Sequence, residues 1–335
     1  SFVLLIITPD KNSYNLFISL MQIFILSIVV YNLLIYNKTS IPLEIGLVAG
    51  LGYSIYAGYF FGRDYFSGYF IQRYAGTLEN PNHYSFMLSV ALLFLVRRFL
   101  YIKESKKYSG IINLSIILLI LIFSAEIIFY SISRQGLLLV ILLLGFLFFE
   151  LSRTSNFAGK LGLFISSFFI IMYTWFIIKD MPLVYSRIGS LFTLFAGSTE
   201  FEIDNSMFYR FSYMTDAYNL WLDKPIFGFG LHQFKYVNQS GVSHNNFFEI
   251  LVNNGIVGFI SYYSFYIYIL ISYFKIKVYN KIDSNWILTV LFMLFIADMT
   301  ILTYMEKPNW LIFSVVLFVI HSNAIKEHNF AINLN

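Results

Sequence analysis

Cysteine is absent from the 335 residues, which excludes disulfides, iron–sulfur clusters and thiolate zinc sites together. Charge is scarce as well. Asp, Glu, Lys and Arg make up 12% of the chain against 58% hydrophobic residues, and the mean hydropathy is +0.71. Soluble domains carry about 25% charged residues, so this is the composition of a polytopic membrane protein. The net charge of +4 comes from basic residues spread over short segments. Without a clustered basic stripe, no nucleic-acid partner is expected. No internal repeat is evident. The opening Phe2–Ile7 is apolar but lacks the charged start of a signal peptide, and reads as the tail of an upstream span.

Long apolar runs fill most of the chain. A helix needs roughly 20 mainly apolar residues to cross a hydrocarbon core about 30 Å thick. Nine runs approach that length: Leu16–Tyr36, Leu43–Gly62, Tyr84–Leu100, Ile111–Tyr130, Gly136–Phe149, Leu161–Ile178, Asn246–Phe274, Trp286–Tyr304 and Trp310–His321. The expected fold is all-α, a membrane helix bundle of about 9–10 spans forming a single integral membrane domain over residues 1–335. In the second span Gly46, Gly50, Ser54, Gly58 and Gly62 recur every fourth residue, predicting a face open to close helix approach. Glu126 and Asp298 fall inside spans, where ionisable groups face a protein interior or a water-filled cavity. Lining a lipid path and hydrogen bonding between helices are both open to them.

Lysine and arginine concentrate in short cytoplasmic loops. The stretch RRFLYIKESKKYSG, from the end of the third run onward, carries Arg97, Arg98, Lys103, Lys106 and Lys107 and reads as a loop, and Arg153, Lys160, Lys275, Lys277 and Lys281 fall on the same side. The opposite, outer face then receives Lys11–Asn15, residues 62–82, Ser131–Gln135, the long segment 179–243 between spans six and seven, and Met305–Asn309. Arg63, Arg73, Arg134, Arg187 and Arg210 lie on that outer face, against the rule. Either they are solvated or paired with Glu200, Glu202 and Asp204, or several converge on an anion, which guanidinium grips in a bidentate fork.

A loop above about 15 residues usually carries function or structure of its own. Ser206–Leu222 reads as a helix with Ser206 at its N-cap, stopping at Asp223-Lys224-Pro225. Its aromatic stripe of Phe211, Met214, Tyr218 and Trp221 suits packing on the bundle or lying in the membrane interface. Pro225, Gly228 and Gly230 then predict a tight turn. His244 follows at the mouth of the seventh span, where free backbone N–H groups favour anions. An imidazole with an unperturbed pKa of about 6.5 can accept a proton near neutrality, and Asn245 and Asn246 can orient a ligand. A satisfied interfacial histidine has the same sequence appearance.

The succession Arg210, Trp221, Pro225, Gly228-Phe229-Gly230, Phe234, His244-Asn245, Leu251, Gly255 and Gly258 resembles the large-loop signature of O-antigen polymerases (Wzy type), O-antigen ligases and related bacterial oligosaccharyltransferases. GTLENPNHYSF (Gly76–Phe86) is similar to the family's Gly-x-x-x-Asn-Pro-Asn element, and SRQG (Ser133–Gly136) to its Ser-Arg-Gly element; Gln135 stands where a small residue is usual. The resemblance implies a GT-C-like, multi-pass enzyme of the bacterial inner membrane, active on the periplasmic face in lipopolysaccharide or other surface polysaccharide biosynthesis. Its implied donor is an undecaprenyl-pyrophosphate-linked oligosaccharide, used without a metal or cofactor. Arg210 and His244 match the arginine and histidine on which members rely, and Arg134 the arginine of the Ser-Arg element. Expected pyrophosphate ligands are Arg134, Arg210, Arg73 and Arg187, with Asn245 and Asn82 as further substrate contacts and His244 acting on the acceptor hydroxyl. Membrane lipid and a chain-length regulator protein are the other expected partners. Polymerase is the favoured activity, with ligase as the alternative. A polysaccharide flippase is the reading from a different class, disfavoured because the polar residues cluster in one outer segment.

Overall fold

The computed structural model describes residues 11–61, 74–76, 78, 80–105, 110–181, 185–186, 189, 205–238, 241–276 and 280–332. These residues form helices, and no strand occurs among them. The helices are α1 (Lys11–Asn37), α2 (Ile41–Phe61), α3 (Pro81–Ser105), α4 (Gly110–Ala125), α5 (Arg134–Thr154), α6 (Phe157–Lys179), α7 (Asn205–Asp223), α8 (Phe234–Val237), α9 (Asn246–Ile276), α10 (Lys281–Asp298) and α11 (Lys307–Ile332). A π-helical turn, Glu126–Ser131, continues α4, and a 3-10 turn, Thr303–Met305, precedes α11.

Each of the nine apolar runs contains a helix among its described residues. Among the described residues, six helices are long and apolar enough to cross a membrane: Tyr14–Asn37, Ile41–Gly58, Pro81–Glu104, Arg134–Thr154, Asn246–Ile276 and Lys307–Ile325. Ser115–Ser131 and Phe157–Phe169 are shorter apolar helices. The run ending at Tyr304 is a shorter helix than its hydropathy suggests, because α10 stops at Asp298 and a non-helical turn follows. Phe24, Ile25, Val29 and Leu33 of α1 are exposed, a surface that hydrocarbon satisfies and water does not. The protein is therefore a multi-pass membrane protein.

The chain packs as two units, Ser1–Ser40 with Asp204–Asn335, and Ile41–Ile203. In the first, α1 lies on α11, joined by the Ser314 hydroxyl to Ser27 O at 3.0 Å and by an edge-on contact of Phe24 with Trp310. In this unit α10 is the most deeply covered helix, with Trp286, Ile287, Val290, Met293, Leu294 and Ala297 fully buried.

In the second unit α3 is central, packing on α2, α4 and α5, and Leu88, Ala91, Leu93 and Val96 are inaccessible. The positively charged stretch after the third run differs from the expected loop. It continues α3 to Ser105, so Arg97 and Arg98 stand on a helix, 12% and 31% exposed, and both reach Glu44 of α2. The small-residue stripe of α2 also serves differently from the expected helix seam. Beside Gly46 and Gly50 a methyl group would meet open space, whereas Ser54 and Gly58 seat the side chain of Tyr74, whose hydroxyl donates to Ser54 O at 2.8 Å. Gly62 lies outside the described residues.

Candidate functional site

Two local assemblies carry the residues singled out by sequence. The first is built around the start of α9. His244 sits in the left-handed region at φ +53°, partly exposed, directly before the helix. Its flanks are pinned. The Ser243 N–H donates to Glu249 Oε2 at 2.9 Å, and the Ser243 hydroxyl donates to Asn245 O at 2.9 Å. The side-chain oxygen of Asn245 accepts from the N–H groups of Phe247 and Phe248 at 3.0 and 3.2 Å. Asn245 is thus the N-cap of α9, and the N–H groups expected to be open to an anion are partly occupied by it.

Arg210 stands one turn into α7, seven residues before the buried Ala217, hence on the same helical face. That face packs on α9: Ala217, Phe234 and Val252 form a buried cluster, with Tyr213, Leu220, Trp221, Phe229 and Phe248 around it. The expected aromatic stripe divides, since Trp221 joins the cluster while Phe211 and Tyr218 remain about half exposed. Ser206 lies inside the first turn rather than at the cap. The helix does stop at Asp223, and the Trp221 indole N–H donates to Pro225 O at 3.1 Å.

The turn that follows is a wedge in α9. At Gly255 the backbone leaves the helix (φ +62°, ψ −168°). An unbroken helix would pair Ile256 N–H with Val252 O, and Val257 N–H with Asn253 O. Here all four groups turn to the loop instead. Ile256 and Val257 donate to Pro225 O and Ile226 O at 2.9 and 3.2 Å, while Val252 O and Asn253 O accept from Phe229 and Gly230 at 2.8 and 2.9 Å. A helix break at membrane depth is tolerable when its backbone groups find such partners. A Cβ on Gly228 would lie 2.5 Å from Val252 O, and one on Gly255 would collide with the Ile226 carbonyl.

Below the His244 turn runs a buried polar network. The Asn253 amide donates to Glu249 Oε1 at 3.2 Å and reaches the Tyr304 hydroxyl at 3.5 Å, and its oxygen accepts from Phe234 N. Asn246 accepts from Tyr304 N and donates to the Tyr263 hydroxyl. Tyr263, Tyr266 and Thr303 all donate to Asp298. Asn309 and Thr303 meet the Tyr262 hydroxyl at 2.8 and 3.1 Å. Asp298 therefore bonds between helices, one of the two roles open to it. Glu126, buried beside Tyr84 with 3.5 Å between hydroxyl and carboxylate, does the same in the other unit.

The second assembly joins the two shorter motifs. Asn80 caps α3, accepting from Asn82 N at 2.8 Å, and Pro81 takes the first helical position, where its missing N–H costs nothing. Ser133 caps α5, accepting from Gly136 N at 3.2 Å while donating to Asn82 Oδ1 at 2.9 Å. Gly136 is required by contact, since a Cβ there would lie 2.6 Å from Ile127 and 2.7 Å from Ser85. Arg134 is the first residue of α5 and partly exposed, so its charge adds to the positive end of the helix. Gln135 points inward, 2% exposed, with neither amide atom hydrogen bonded. We expect Ser133→Ala to lower stability by about 1–2 kcal/mol, the sum of a lost cap and one further bond. Thermal unfolding in detergent would measure it. Ser152→Ala, which removes only a bond to Phe149 O, should stay within about 0.5 kcal/mol of the parent.

Asn82 and Arg134 thus fall in the Ile41–Ile203 unit, and Arg210, His244 and Asn245 in the other. Arg73 and Arg187 lie outside the described residues. Residues 118–263 match the family described as O-Antigen ligase. Over that segment the chain is similar to the O-antigen polymerase and ligase superfamily. No curated protein matches it. Arg134, Arg187, Arg210, His244 and Asn245 lie within the O-antigen ligase segment, whereas Arg73 and Asn82 precede it. Glu249, Asn253, Tyr262 and Tyr263 lie within it too. Sequence reasoning passed over these four, although polar side chains repeating at i and i+4 inside a span, as Glu249 and Asn253 do, are their signal. The partners Asp298, Thr303, Tyr304 and Asn309 come from beyond the O-antigen ligase segment, so the network ties the α9 part of that segment to the residues that follow it in the same unit.

Proposed function

We propose that the protein is a surface-polysaccharide polymerase, joining undecaprenyl-pyrophosphate-linked repeat units on the outer face of the bacterial inner membrane. The observation that carries this reading is the turn at His244, which is held from both sides by Glu249 and Asn245 while its own side chain stays partly exposed, inside a segment matching O-antigen ligases. In the reaction the bond between the donor sugar's anomeric carbon and the pyrophosphate oxygen breaks, and the leaving group takes the electron pair. The acceptor hydroxyl oxygen bonds to that carbon, and its proton passes to the His244 imidazole.

Arg210 and Arg134, with Arg73 and Arg187, offset the growing charge of the leaving group, a preorganised electrostatic role worth roughly 3 kcal/mol per group. Arginine in place of a divalent ion predicts a metal-independent enzyme. Asn82 and Asn245 contact the glycan in this reading, and a chain-length regulator protein is the partner that would set product size. The matched family's description favours a second reading, transfer of finished polymer to the lipid A core.

One assay tests both. The purified full chain is incubated with its lipid-linked repeat, with and without lipid A core, in the presence of EDTA. A ladder of multiples of the repeat supports polymerase, and transfer only to core supports ligase. Absence of product under EDTA, restored by Mg²⁺ or Mn²⁺, contradicts the arginine clamp, and no transfer in any condition contradicts the enzyme itself.

A further inference from the structure

The peptide N–H groups of Ser243 and Phe234 are joined through two side chains of α9. Ser243 N–H donates to Glu249 Oε2 at 2.9 Å, the Asn253 side-chain amide donates to Glu249 Oε1 at 3.2 Å, and Asn253 Oδ1 accepts from Phe234 N–H at 2.8 Å. Both Glu249 and Asn253 are inaccessible, at 0% exposure, so a bond lost here strands a buried polar group. Glu249 lies in the first turn of α9, its own N–H on Asn245 O at 3.0 Å, where the helix dipole favours a carboxylate. Capping alone would use one oxygen. The second oxygen extends the contact through Asn253 to the 225–234 loop, which Asn253 also holds by its main chain, accepting from Gly230 N–H at 2.9 Å.

This relay has a direction. Each end is an N–H, which donates, so both side chains must present an oxygen outward and must meet each other as one donor and one acceptor. A carboxylate beside a carboxamide does so. Two carboxamides meet N–H to N–H, and two carboxylates oxygen to oxygen. The support falls where the backbone needs it: His244 holds φ +53°, a setting that a residue with a Cβ keeps when its surroundings over-determine it. Glu249 fixes the residue before it and Asn245 the residue after it. We propose that Glu249 and Asn253 are positioning residues for glycan transfer, a carboxylate–carboxamide pair that sets the His244 turn against the 225–234 loop and so aims the imidazole at the acceptor hydroxyl. The inference rests on the reading of His244 as the group that takes the acceptor's proton. Glu249 and Asn253 touch neither donor nor acceptor in it.

Isosteric exchange tests the relay. Glu249→Gln and Asn253→Asp each break the donor–acceptor match, and the two together restore it with the order reversed: a glutamine at 249 accepts from Ser243 and donates to an aspartate at 253, which accepts from Phe234. The purified full chain, both single variants and the double variant are compared for kcat and KM in ladder formation from the lipid-linked repeat. Melting temperature and hydrogen–deuterium exchange of the peptides containing Ser243 and Phe234 are followed on the same samples. Each single variant should lower kcat by about 10²-fold, the scale of a misplacement of about 1 Å at the reacting atoms, with KM nearly unchanged, because proton acceptance belongs to the transition state. Each should also lose protection at Ser243. The double variant should regain most of the kcat and the protection, a strong coupling between neighbours. A folded single variant with parental kcat overturns the proposal, and so does a double variant that regains protection yet turns over as slowly as the singles. Should the single variants fail to accumulate, the double variant decides: folded and active supports the relay, unfolded overturns it. A parent chain that makes no product overturns the reading of His244 and the inference with it, and is told apart from the other failures by the parent's own inactivity.

Discussion

His244→Ala is expected to slow glycan transfer by about 10²–10⁴-fold, the usual contribution of a positioned general base, while leaving the protein folded. The separation of the two effects comes from how the turn is built. The bonds that hold it, from Ser243 N to Glu249 and from Phe247 and Phe248 to Asn245, use backbone and neighbouring side chains, so shortening residue 244 does not cut them. The left-handed backbone at that position favours Asn over Ala by about 1 kcal/mol. His244→Asn is therefore the sharper control, keeping the turn while lacking a base of the right strength. Arg210→Lys completes the set. It retains the charge but loses the bidentate fork, and should fall between the parent and Arg210→Ala. Ladder formation by each purified variant, beside its melting temperature, gives the readout. A folded His244→Asn chain that polymerises at the parental rate removes the imidazole from the mechanism.

Gly255→Ala is expected to prevent accumulation of folded protein. Three costs coincide there. The residue holds φ +62° and ψ −168°, a region nearly closed to other residues and costing about 1–3 kcal/mol. A Cβ would run into the Ile226 carbonyl and lie 2.6 Å from Phe227 N, and main chain cannot rotate aside as a side chain can. Displacing the turn then strands up to four hydrogen bonds of the break, each worth about 1 kcal/mol. Together these approach the total stability of an ordinary domain, about 5–15 kcal/mol. Gly46→Ala is the contrasting case. Nothing lies within 4 Å of the added methyl, and in a helix interior alanine is favoured by up to about 1 kcal/mol. Gly228→Ala attacks the same contact from the other side and should be far less than additive with Gly255→Ala. Recovery of monodisperse protein after detergent extraction measures all of these, and a well-folded Gly255→Ala chain shows that the wedge is not needed.

The helices were legible because hydropathy reports them directly, and so was the turn, since Pro225, Gly228 and Gly230 punctuate strongly. That Gly228 and Gly255 require each other was not, because nothing in either residue names a partner 27 positions away. The small-residue stripe of α2 misled for a related reason. Spacing shows where a backbone can be approached, but the visitor at Gly58 is one tyrosine side chain and at Gly46 nothing. Tyr262, Tyr263 and Tyr266 escaped notice because a tyrosine counts as apolar in a hydropathy window, although their hydroxyls make the network around Asp298. Arg97 and Arg98 were placed in a loop by the same habit, which ends a span at its first charges. The partner that keeps them helical, Glu44, lies 53 residues before Arg97.

The four hydrogen bonds that join the 225–230 turn to the break in α9 are made by peptide groups. Such a joint has no preference for what the exposed Ile226 and Phe227 carry beyond Cβ, provided the two glycines stay. Those side chains are free to diverge, and with them the lining that an incoming saccharide would touch, while the scaffold carrying His244 keeps its position. A single architecture could in this way be refitted to many different polymers.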